Sequence, residues 1–305
     1  MKLKSTIVII CLAIIGIAVY HFANRETSTP LEKYLHSTAY INVHVNGAES
    51  LPANATAFFL EFVNPDAPSD KRLCLVTNRH CIKGYTGPVT ARFTIKGPMG
   101  NPVFGESHEY TFEVAESDWL LLEDTSVELA VLPLDDFEED FRSIHSSRPF
   151  IHYFTEDQIP LESEWANFRN PIEVAMIGYP RGFHDKKNNI PSVYSGWTAG
   201  YLPVSFRDSQ DFTIHIPSFN QSSGSPVIEA APLLRQDAWS WVFPKEPLLL
   251  GVNWSGVEKY KPNSQVILNG KPIGNSLKIF QDIHLSRSER SYQLLEFKPL
   301  IFAAD

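Results

Sequence analysis

LVTNRHC, at residues 75–81, reads as a short β-strand that ends in a tight turn carrying a histidine, His80. A second segment, QSSGSPV at 221–227, is a glycine-containing turn that holds a serine, Ser223. A third, ELAVL at 128–132, lies between them and is an apolar strand that begins with a carboxylate. A serine hydroxyl needs an imidazole to accept its proton, and a carboxylate to orient that imidazole, before it attacks a carbonyl group. One chain therefore contains the side chains of a hydrolytic site.

These three segments resemble those of the trypsin-like serine peptidases, and in particular the bacterial-type members of that family. Their order along the chain is the family's order of histidine, acid and serine. The spacing from His80 to Glu128, and the longer spacing from Glu128 to Ser223, are similar to the family's separation of one β-barrel from the next. The resemblance covers roughly residues 54–256. It implies an all-β fold of two antiparallel six-stranded β-barrels with the site in the cleft between them.

Short β-branched or aromatic runs, separated by Gly, Pro, Asn and Asp, predict the strands of this fold. We expect a peptidase domain over residues 54–290, with barrels at roughly 54–135 and 172–272 and a mixed, acidic connection between them. Residues 273–284 are expected to form a closing helix of the kind the family often carries. Residues 291–305 are expected to form a C-terminal tail.

An uncharged apolar run, Ser5–Phe22, follows Lys2 and Lys4 and is long enough to cross a hydrocarbon core. Basic residues before such a run favour a cytoplasmic N-terminus and place the rest of the chain outside the cytoplasm. A cleaved signal peptide has the same charged start and apolar run. Residues 1–23 are therefore predicted to be a membrane anchor, with a signal segment as the alternative, and 24–53 a linker with an opening strand. The catalytic part is expected in the periplasm, or secreted if the segment is cleaved.

The composition limits the classes of partner. The chain has 305 residues, of which 43% are hydrophobic and 12% aromatic, so it can build sizeable cores. Its net charge of −9, without a cluster of Lys and Arg, would repel a phosphate backbone, so nucleic acid is not an expected partner. Metal-ligand spacings such as CxxC or HExxH are absent from the sequence, and we expect neither a metal nor another cofactor. The expected partners are a protein or peptide substrate and, through the N-terminal segment, a membrane.

The three cysteines give little information about redox state. Cys11 lies in the apolar run, and Cys74 and Cys81 could form a disulfide only if their side chains converge. Their separation differs from that of the disulfide that many secreted animal trypsin-like enzymes make beside the histidine. Cys74 is predicted to be a buried strand thiol.

The resemblance implies a role for each site residue. His80 would act as general base and then as general acid, Ser223 would be the nucleophile, and the backbone N–H groups of Gln221 and Ser223 would bind the oxyanion. Ser222 and Ser225 compete for the nucleophile's role within the same loop. The family usually has Gly at the position of Gln221. A Gln resists a positive φ, which favours a flipped peptide in the free protein and a low or substrate-induced activity.

Glu128 stands where the family has Asp, and its extra methylene moves the carboxylate by roughly one bond length. Asp124, four residues earlier, is the alternative acid. A charged side chain on a partly buried strand normally needs a partner, and His80 would provide one for Glu128. An ordinary solvated carboxylate is the third interpretation.

GVNWSG, at residues 251–256, resembles the strand that runs beside a bound peptide in this family. Asn253, Trp254 and Ser255 are therefore predicted to bind substrate, with the backbone pairing to it as an added strand. Pro217 is also predicted to bind substrate. It stands six residues before the predicted nucleophile, where trypsin itself has an acid, so a preference for basic side chains is not expected.

The function that these features predict is that of a membrane-anchored, extracytoplasmic serine endopeptidase that cleaves peptide bonds through a Ser-His-Glu triad. The alternative is a catalytically weakened domain of the same fold that binds peptides or a partner protein. The substitutions at positions 128 and 221 are the features that favour this alternative.

Overall fold

The computed structural model describes residues 32–43, 53–85, 87–207, 209–230, 246–264, 267–268, 271–272 and 277–303. The predicted membrane segment and most of the linker after it lie outside these ranges. Within these ranges, none of the helices combines the length and the apolar character that a bilayer crossing needs.

The described part of the chain is mostly β-strand. The strands are β1 (Thr38–Val43), β2 (Ala53–Val63), β3 (Lys71–Thr77), β4 (Val89–Lys96), β5 (Pro102–Phe112), β6 (Ala130–Pro133), β7 (Phe154–Thr155), β8 (Glu173–Gly178), β9 (Ser192–Thr198), β10 (Asp211–His215), β11 (Pro226–Glu229), β12 (Leu249–Ser264), β13 (Ile267–Leu268), β14 (Lys271–Pro272) and β15 (Leu277–Arg290). The α-helices are α1 (Arg79–Ile82), α2 (Phe137–His145) and α3 (Lys298–Phe302). The 3₁₀ helices are Glu32–His36, Glu116–Asp118, Glu156–Gln158, Glu162–Asn167, Pro180–Gly182 and Ser291–Phe297.

The N-terminal half forms an open sheet with the strand order β5-β4-β1-β2-β3-β6, and β7 pairs with β2. The prediction of a closed barrel is therefore wrong for this half. β6 has only four residues and ends at Pro133, which has no N–H to donate. Its outer edge carries a single bridge, in which Leu120 and Val131 exchange hydrogen bonds of 2.7 and 3.1 Å. That bridge occupies the edge that β5 would need to close a barrel.

The C-terminal half forms a closed barrel with the strand order β10-β15-β12-β11-β8-β9. All of its strand pairs are antiparallel, so the prediction of a six-stranded antiparallel barrel is confirmed for this half. The closing helix expected at 273–284 is wrong, because residues from Leu277 onward belong to β15. β15 pairs with both β10 and β12, and the barrel could not close without it. The helical segments near the C-terminus come later, at 291–302.

Strand β2 connects the two halves because both of its faces are buried. Successive side chains of a strand point to opposite faces. Phe58 and Leu60 pack in the same cluster as Val227 and Val252 of the barrel. Phe59 packs on the other face, among the side chains of the open sheet. This shared core holds the ends of β3 and β6 against the loop that precedes β11.

Candidate active site

The histidine lies in α1, the single helical turn that follows β3. Two hydrogen bonds attach this turn to the segment that carries the acid. The side-chain amide of Asn78 donates to the carbonyl of Glu128 at 2.7 Å, and the backbone N–H of Arg79 donates to the same oxygen at 3.3 Å. The backbone of residue 128 is therefore fixed relative to the turn that presents His80.

The structure brings His80, Glu128 and Ser223 into one line of contacts. Nδ1 of His80 lies 2.8 Å from Oε2 of Glu128, and Nε2 lies 3.0 Å from Oγ of Ser223. The backbone N–H of His80 also donates to Oε2 of Glu128, at 3.3 Å. With the Nδ1 proton donated to the carboxylate, Nε2 is left with the lone pair that can accept the serine proton.

The alternative acid, Asp124, is engaged elsewhere. Its Oδ1 accepts hydrogen bonds from the backbone N–H and the hydroxyl of Ser126, at 2.9 and 2.7 Å. The side chain is exposed and stabilises its own turn. Glu128, and not Asp124, is the carboxylate in contact with His80.

The other two serines of the loop are inaccessible. Ser222 and Ser225 are fully buried, whereas Ser223 is half-buried and open to the cleft. A nucleophile must reach a substrate carbonyl, so Ser223 is the serine of this loop that meets the geometric requirement.

The chain turns sharply around Ser223 through two positive φ angles, at Gln221 (+74°) and Gly224 (+86°). A Cβ at Gly224 would lie 1.9 Å from the carbonyl oxygen of Thr56, so only glycine fits there. The expectation that a Gln at position 221 would avoid a positive φ is wrong. The contacts of the loop with β2 hold the chain in this conformation.

The carbonyls of the loop point away from the cleft. Thr56 donates from its backbone N–H to the carbonyl of Ser223 and from its hydroxyl to the carbonyl of Gln221, both at 3.0 Å. The carbonyl of Asn220 accepts a 2.8 Å hydrogen bond from the N–H of Arg181. The N–H groups of Gln221 and Ser223 have no acceptor among the described residues. Two unpaired N–H groups beside a serine hydroxyl can receive an oxyanion.

Thr56 and Asn78 are supporting residues that sequence reasoning missed. Thr56 holds the serine loop through the contacts above, and its hydroxyl also accepts the N–H of Tyr179 at 3.1 Å. It lies within an apolar strand and no local pattern distinguishes it. Asn78 directly precedes the helical turn that contains His80. Its position between the strand and this turn could have identified it as a supporting residue.

Asn253 lies in the wall of the site and not on its surface. Its side chain is fully buried, and Nδ2 donates to the hydroxyl of Ser218 at 3.0 Å and to the carbonyl of Ser222 at 3.1 Å. The N–H of Gly224 donates to its carbonyl at 2.9 Å. Asn253 therefore supports the serine loop from the side of β12.

Trp254 and Ser255 lie at the cleft, where β12 has a free edge. The carbonyl of Trp254 is 3.3 Å from Oγ of Ser223. β11 pairs with β12 only through Leu249–Val252, and none of the described strands covers the same edge beyond Asn253. An extended peptide could therefore add to this edge.

Pro217 lies in the loop that approaches β12 next to that edge. It is half-buried and precedes Ser218, whose carbonyl oxygen is 3.2 Å from the position that a Cβ on Gly256 would take. The loop that contains Pro217 and the strand that contains Gly256 therefore lie close together.

The pKa values of the pair reflect their contact. Burial of the His80 ring opposes its protonation, but attraction from Cys81 and Glu128 outweighs it and raises the pKa of His80 to about 10. The hydrogen bond from His80 lowers the pKa of Glu128 against the opposing effect of burial. Both shifts favour an imidazolium beside a carboxylate, which is the charge state that proton transfer from a serine creates.

Neither of the two described cysteines forms a disulfide. Cys74 and Cys81 are both free and buried, so the prediction of a buried thiol at Cys74 is confirmed. Within the described ranges, no group of three or more His, Cys, Asp or Glu side chains could hold a metal ion.

No family model matches the chain, and no curated protein matches it. The fold is similar to that of several solved structures. The active form of the Rv3671c protease from M. tuberculosis is 13% identical, with 90% of this chain and 85% of that chain covered and a TM-score of 0.46. Its inactive form is 14% identical, with 90% and 92% covered and a TM-score of 0.44. The scabies mite inactivated protease paralogue S-I1 is 14% identical, with 90% and 97% covered and a TM-score of 0.43.

Proposed function

We propose that this protein is a serine endopeptidase with Ser223 as nucleophile, His80 as general base and acid, and Glu128 as the group that orients His80. The observation that carries the proposal is the pair of contacts made by the imidazole, 2.8 Å to Glu128 and 3.0 Å to Ser223. Hydrogen-bond reach from nucleophile to base, and from base to acid, is what this chemistry requires.

In the first half of the reaction, Oγ of Ser223 bonds to the carbonyl carbon of a substrate peptide and its proton moves to Nε2 of His80. The carbonyl oxygen becomes an oxyanion that accepts hydrogen bonds from the N–H groups of Gln221 and Ser223. Collapse of this intermediate breaks the C–N bond, and His80 returns the proton to the leaving amine. The products are an acyl ester on Ser223 and a free amine.

In the second half, a water molecule replaces the amine. His80 accepts a proton from the water as its oxygen bonds to the acyl carbon. The ester C–O bond then breaks, and the proton on His80 returns to Oγ of Ser223. This restores the free protein and releases a carboxylic acid, so the reaction needs no metal or organic cofactor.

The second candidate is a domain of the same fold that binds peptides or a partner protein and cleaves them slowly or not at all. The raised pKa of His80 favours it, because an imidazolium cannot accept the serine proton. The contact of the Ser223 hydroxyl with the carbonyl of Trp254 offers that hydroxyl a second acceptor. Activity that appears only at alkaline pH would show that His80 is a base that is protonated at neutral pH. Absence of activity at every pH would indicate a site that binds without cleaving.

We also propose that the apolar run Ser5–Phe22 anchors the protein in a membrane, with the N-terminus cytoplasmic and the catalytic part outside the cytoplasm. The support is the sequence alone, namely an uncharged run of membrane-spanning length after two lysines. Carbonate extraction of membranes, followed by protease protection of intact cells or spheroplasts, tests both the anchoring and the orientation. Release of the protein by carbonate would contradict the anchor.

The experiment that tests the function is active-site labelling with a fluorophosphonate probe at pH 7 to 10, together with cleavage of a peptide library followed by mass spectrometry. Ser223→Ala should abolish both labelling and cleavage. Ser143→Ala is the matched control, because Ser143 is an exposed serine of α2 whose hydroxyl donates to the carbonyl of Asp140 at 2.8 Å. Labelling that persists in Ser223→Ala would refute the nucleophile, and absence of labelling in the wild type at every pH would favour the binding candidate.

A further inference from the structure

A groove of about 580 Å³ lies next to the serine loop and takes no part in the chemistry described above. Aromatic and basic side chains dominate its lining, which includes Arg181, Phe183, His184, Lys186, Tyr194 and Phe219. The guanidinium of Arg181 lies 4.9 Å above the ring of Phe219, and Phe183 is 73% exposed. The groove is therefore an open surface with basic groups placed among aromatic rings.

The groove contacts the serine loop at residues 220 and 221. The N–H of Arg181 donates a hydrogen bond to the carbonyl of Asn220. A Cβ on Gly182 would lie 3.5 Å from Oε1 of Gln221. β12 contacts the same loop at residues 222–224, through Asn253 and Trp254.

These contacts fix where a substrate must run. A peptide can pair with the free edge of β12 through the residues before the cut bond, since that edge begins at Trp254, whose carbonyl is 3.3 Å from Oγ of Ser223. The residues after the cut bond must then leave past Gln221. That direction leads into the groove at 180–186.

The groove carries positive charge in a protein whose net charge is −9. Neither Arg181 nor Lys186 forms an ion pair with a carboxylate in the part of the chain that the structure describes. The nearest acid in sequence, Asp185, does not line the groove. Its carboxylate accepts hydrogen bonds from its own loop, including the N–H of Lys187 at 3.1 Å. Two cations are thus left to meet a ligand.

We propose that this groove binds an acidic side chain located one to three residues after the cut bond, and that Arg181 and Lys186 determine this preference. The inference rests on the proposed function. Arg181 offers a planar fork of donors that fits a carboxylate, and Lys186 adds a second, mobile charge. The pairing is solvent-exposed, so each cation contributes at most about a fivefold preference, which weakens as salt is added.

The test uses fluorogenic peptides built on a sequence that the wild type cleaves and that differ only in Asp or Asn at the first, second and third positions after the cut bond. Asp peptides should have roughly fivefold higher kcat/KM than their Asn counterparts. The preference should fall in Arg181→Gln and in Lys186→Gln and be absent from the double variant. Lys187→Gln is the matched control, because Lys187 is exposed and adjacent but does not line the groove, and it should keep the preference. Equal values for Asp and Asn peptides, or a preference that survives in the double variant, would overturn the proposal.

A peptide's own C-terminal carboxylate could supply the same chemistry. Each peptide is therefore tested with a free and with an amidated C-terminus. A preference for free termini that the double variant abolishes, with Asp and Asn peptides equal, would assign the groove to the terminal carboxylate and overturn the side-chain assignment.

Binding separates this inference from the proposed function. Fluorescein-labelled Ala-Asp-Asp-Ala-amide and Ala-Asn-Asn-Ala-amide imitate the segment after the cut bond and are titrated into Ser223→Ala protein by anisotropy. Tighter binding of the Asp peptide, lost in the Arg181 and Lys186 variants, supports the groove even if no peptide is cleaved. Equal binding of both peptides contradicts it, even in a protein that is an active peptidase.

Discussion

The backbone N–H of Glu128 donates a 3.2 Å hydrogen bond to Oε1 of Glu289. Glu289 belongs to β15 of the closed barrel, whereas Glu128 precedes β6 of the open sheet. Through Glu289, the barrel therefore fixes the backbone of Glu128, the acid of the candidate site. Glu289 is only 2% exposed, so this contact is made in the interior, where an unpaired N–H is costly.

The first prediction concerns the role of Glu289 as a positioning residue. Glu289→Gln keeps an oxygen that can accept the N–H of Glu128, and kcat should stay within about threefold of the wild type. Glu289→Leu leaves that N–H without an acceptor, and kcat should fall by roughly tenfold, with KM little changed, because the acid and His80 lose their alignment. Steady-state kinetics on a fluorogenic peptide measures both. Glu296→Gln, at an exposed carboxylate, is the control, and equal kcat in the Gln and Leu variants would contradict the role.

The second prediction is that Glu289 makes a contribution to stability that is lost as pH rises from about 4.5 to about 8. Burial, and then repulsion from Asp211, raises the pKa of Glu289 from 4.5 to about 8. In that window Glu289 holds a proton in the folded protein that it has lost in the unfolded chain, so its contribution to the free energy of unfolding decreases with pH. The contribution is fully present below pH 4.5, is lost above pH 8 and is on the order of a few kcal/mol at most.

Urea denaturation at pH 5, 7 and 9 checks this dependence. Glu289→Gln has no charge to gain, so the wild type should lose stability relative to this variant as pH rises from 5 to 9. Glu296→Gln should keep the wild-type slope. The same slope in the wild type and in Glu289→Gln would show that Glu289 does not titrate in this range.

The third prediction is that activity increases with pH and that Cys81 sets part of this dependence. A general base acts only when unprotonated, so the raised pKa of His80, about 10, makes kcat/KM rise from neutral pH toward pH 10. Cys81→Ala removes an attraction that raises this pKa and leaves burial, which lowers it. The rising limb of the pH profile should then move to lower pH by roughly half a unit or more.

The measurement is kcat/KM, or the rate of fluorophosphonate labelling, between pH 6 and roughly pH 10.5. Cys74→Ala is the matched control, because Cys74 is the other described free, buried thiol and is not among the groups that mainly set the pKa of His80. This variant should leave the rising limb of the pH profile at the wild-type pH, even if the protein is less stable. If the rising limb of the pH profile stayed at the same pH in Cys81→Ala, Cys81 would not contribute to the pKa of His80.

Three short segments, together with their order and spacing along the chain, were enough to identify the side chains that meet in the cleft. His80 follows a strand and precedes a turn, and Ser223 lies between residues that bend the chain, so each has a signal within a few neighbours. The antiparallel barrel of the C-terminal half could likewise be predicted from short apolar runs and turn residues.

What the sequence did not reveal depends on contacts between distant residues. The N-terminal sheet is open, since the outer edge of β6 carries only the Leu120–Val131 bridge and no strand pair, and no local pattern near either residue predicts this. β15 is a strand because two barrel neighbours pair with it, which overrides the helix expected there from family resemblance. The bond from Glu128 to Glu289 joins residues 161 positions apart, and a glutamate in a polar strand gives no sign of such a partner.

The fourth prediction concerns the positive φ of Gln221, +74°. A non-glycine residue in this region stores roughly 1–2 kcal/mol of strain, and Gly removes the strain while keeping the N–H that would bind the oxyanion. Gln221→Gly should therefore label with a fluorophosphonate at least as fast as the wild type, whereas Gln221→Val, with a branched Cβ that fits a positive φ poorly, should label about tenfold more slowly or more. Asn220→Gly, which changes the neighbouring exposed residue, controls for added loop flexibility. If Gln221→Gly labelled more slowly than Asn220→Gly, the glutamine side chain itself would be required, and the amide at position 221 would not be sufficient to receive the oxyanion.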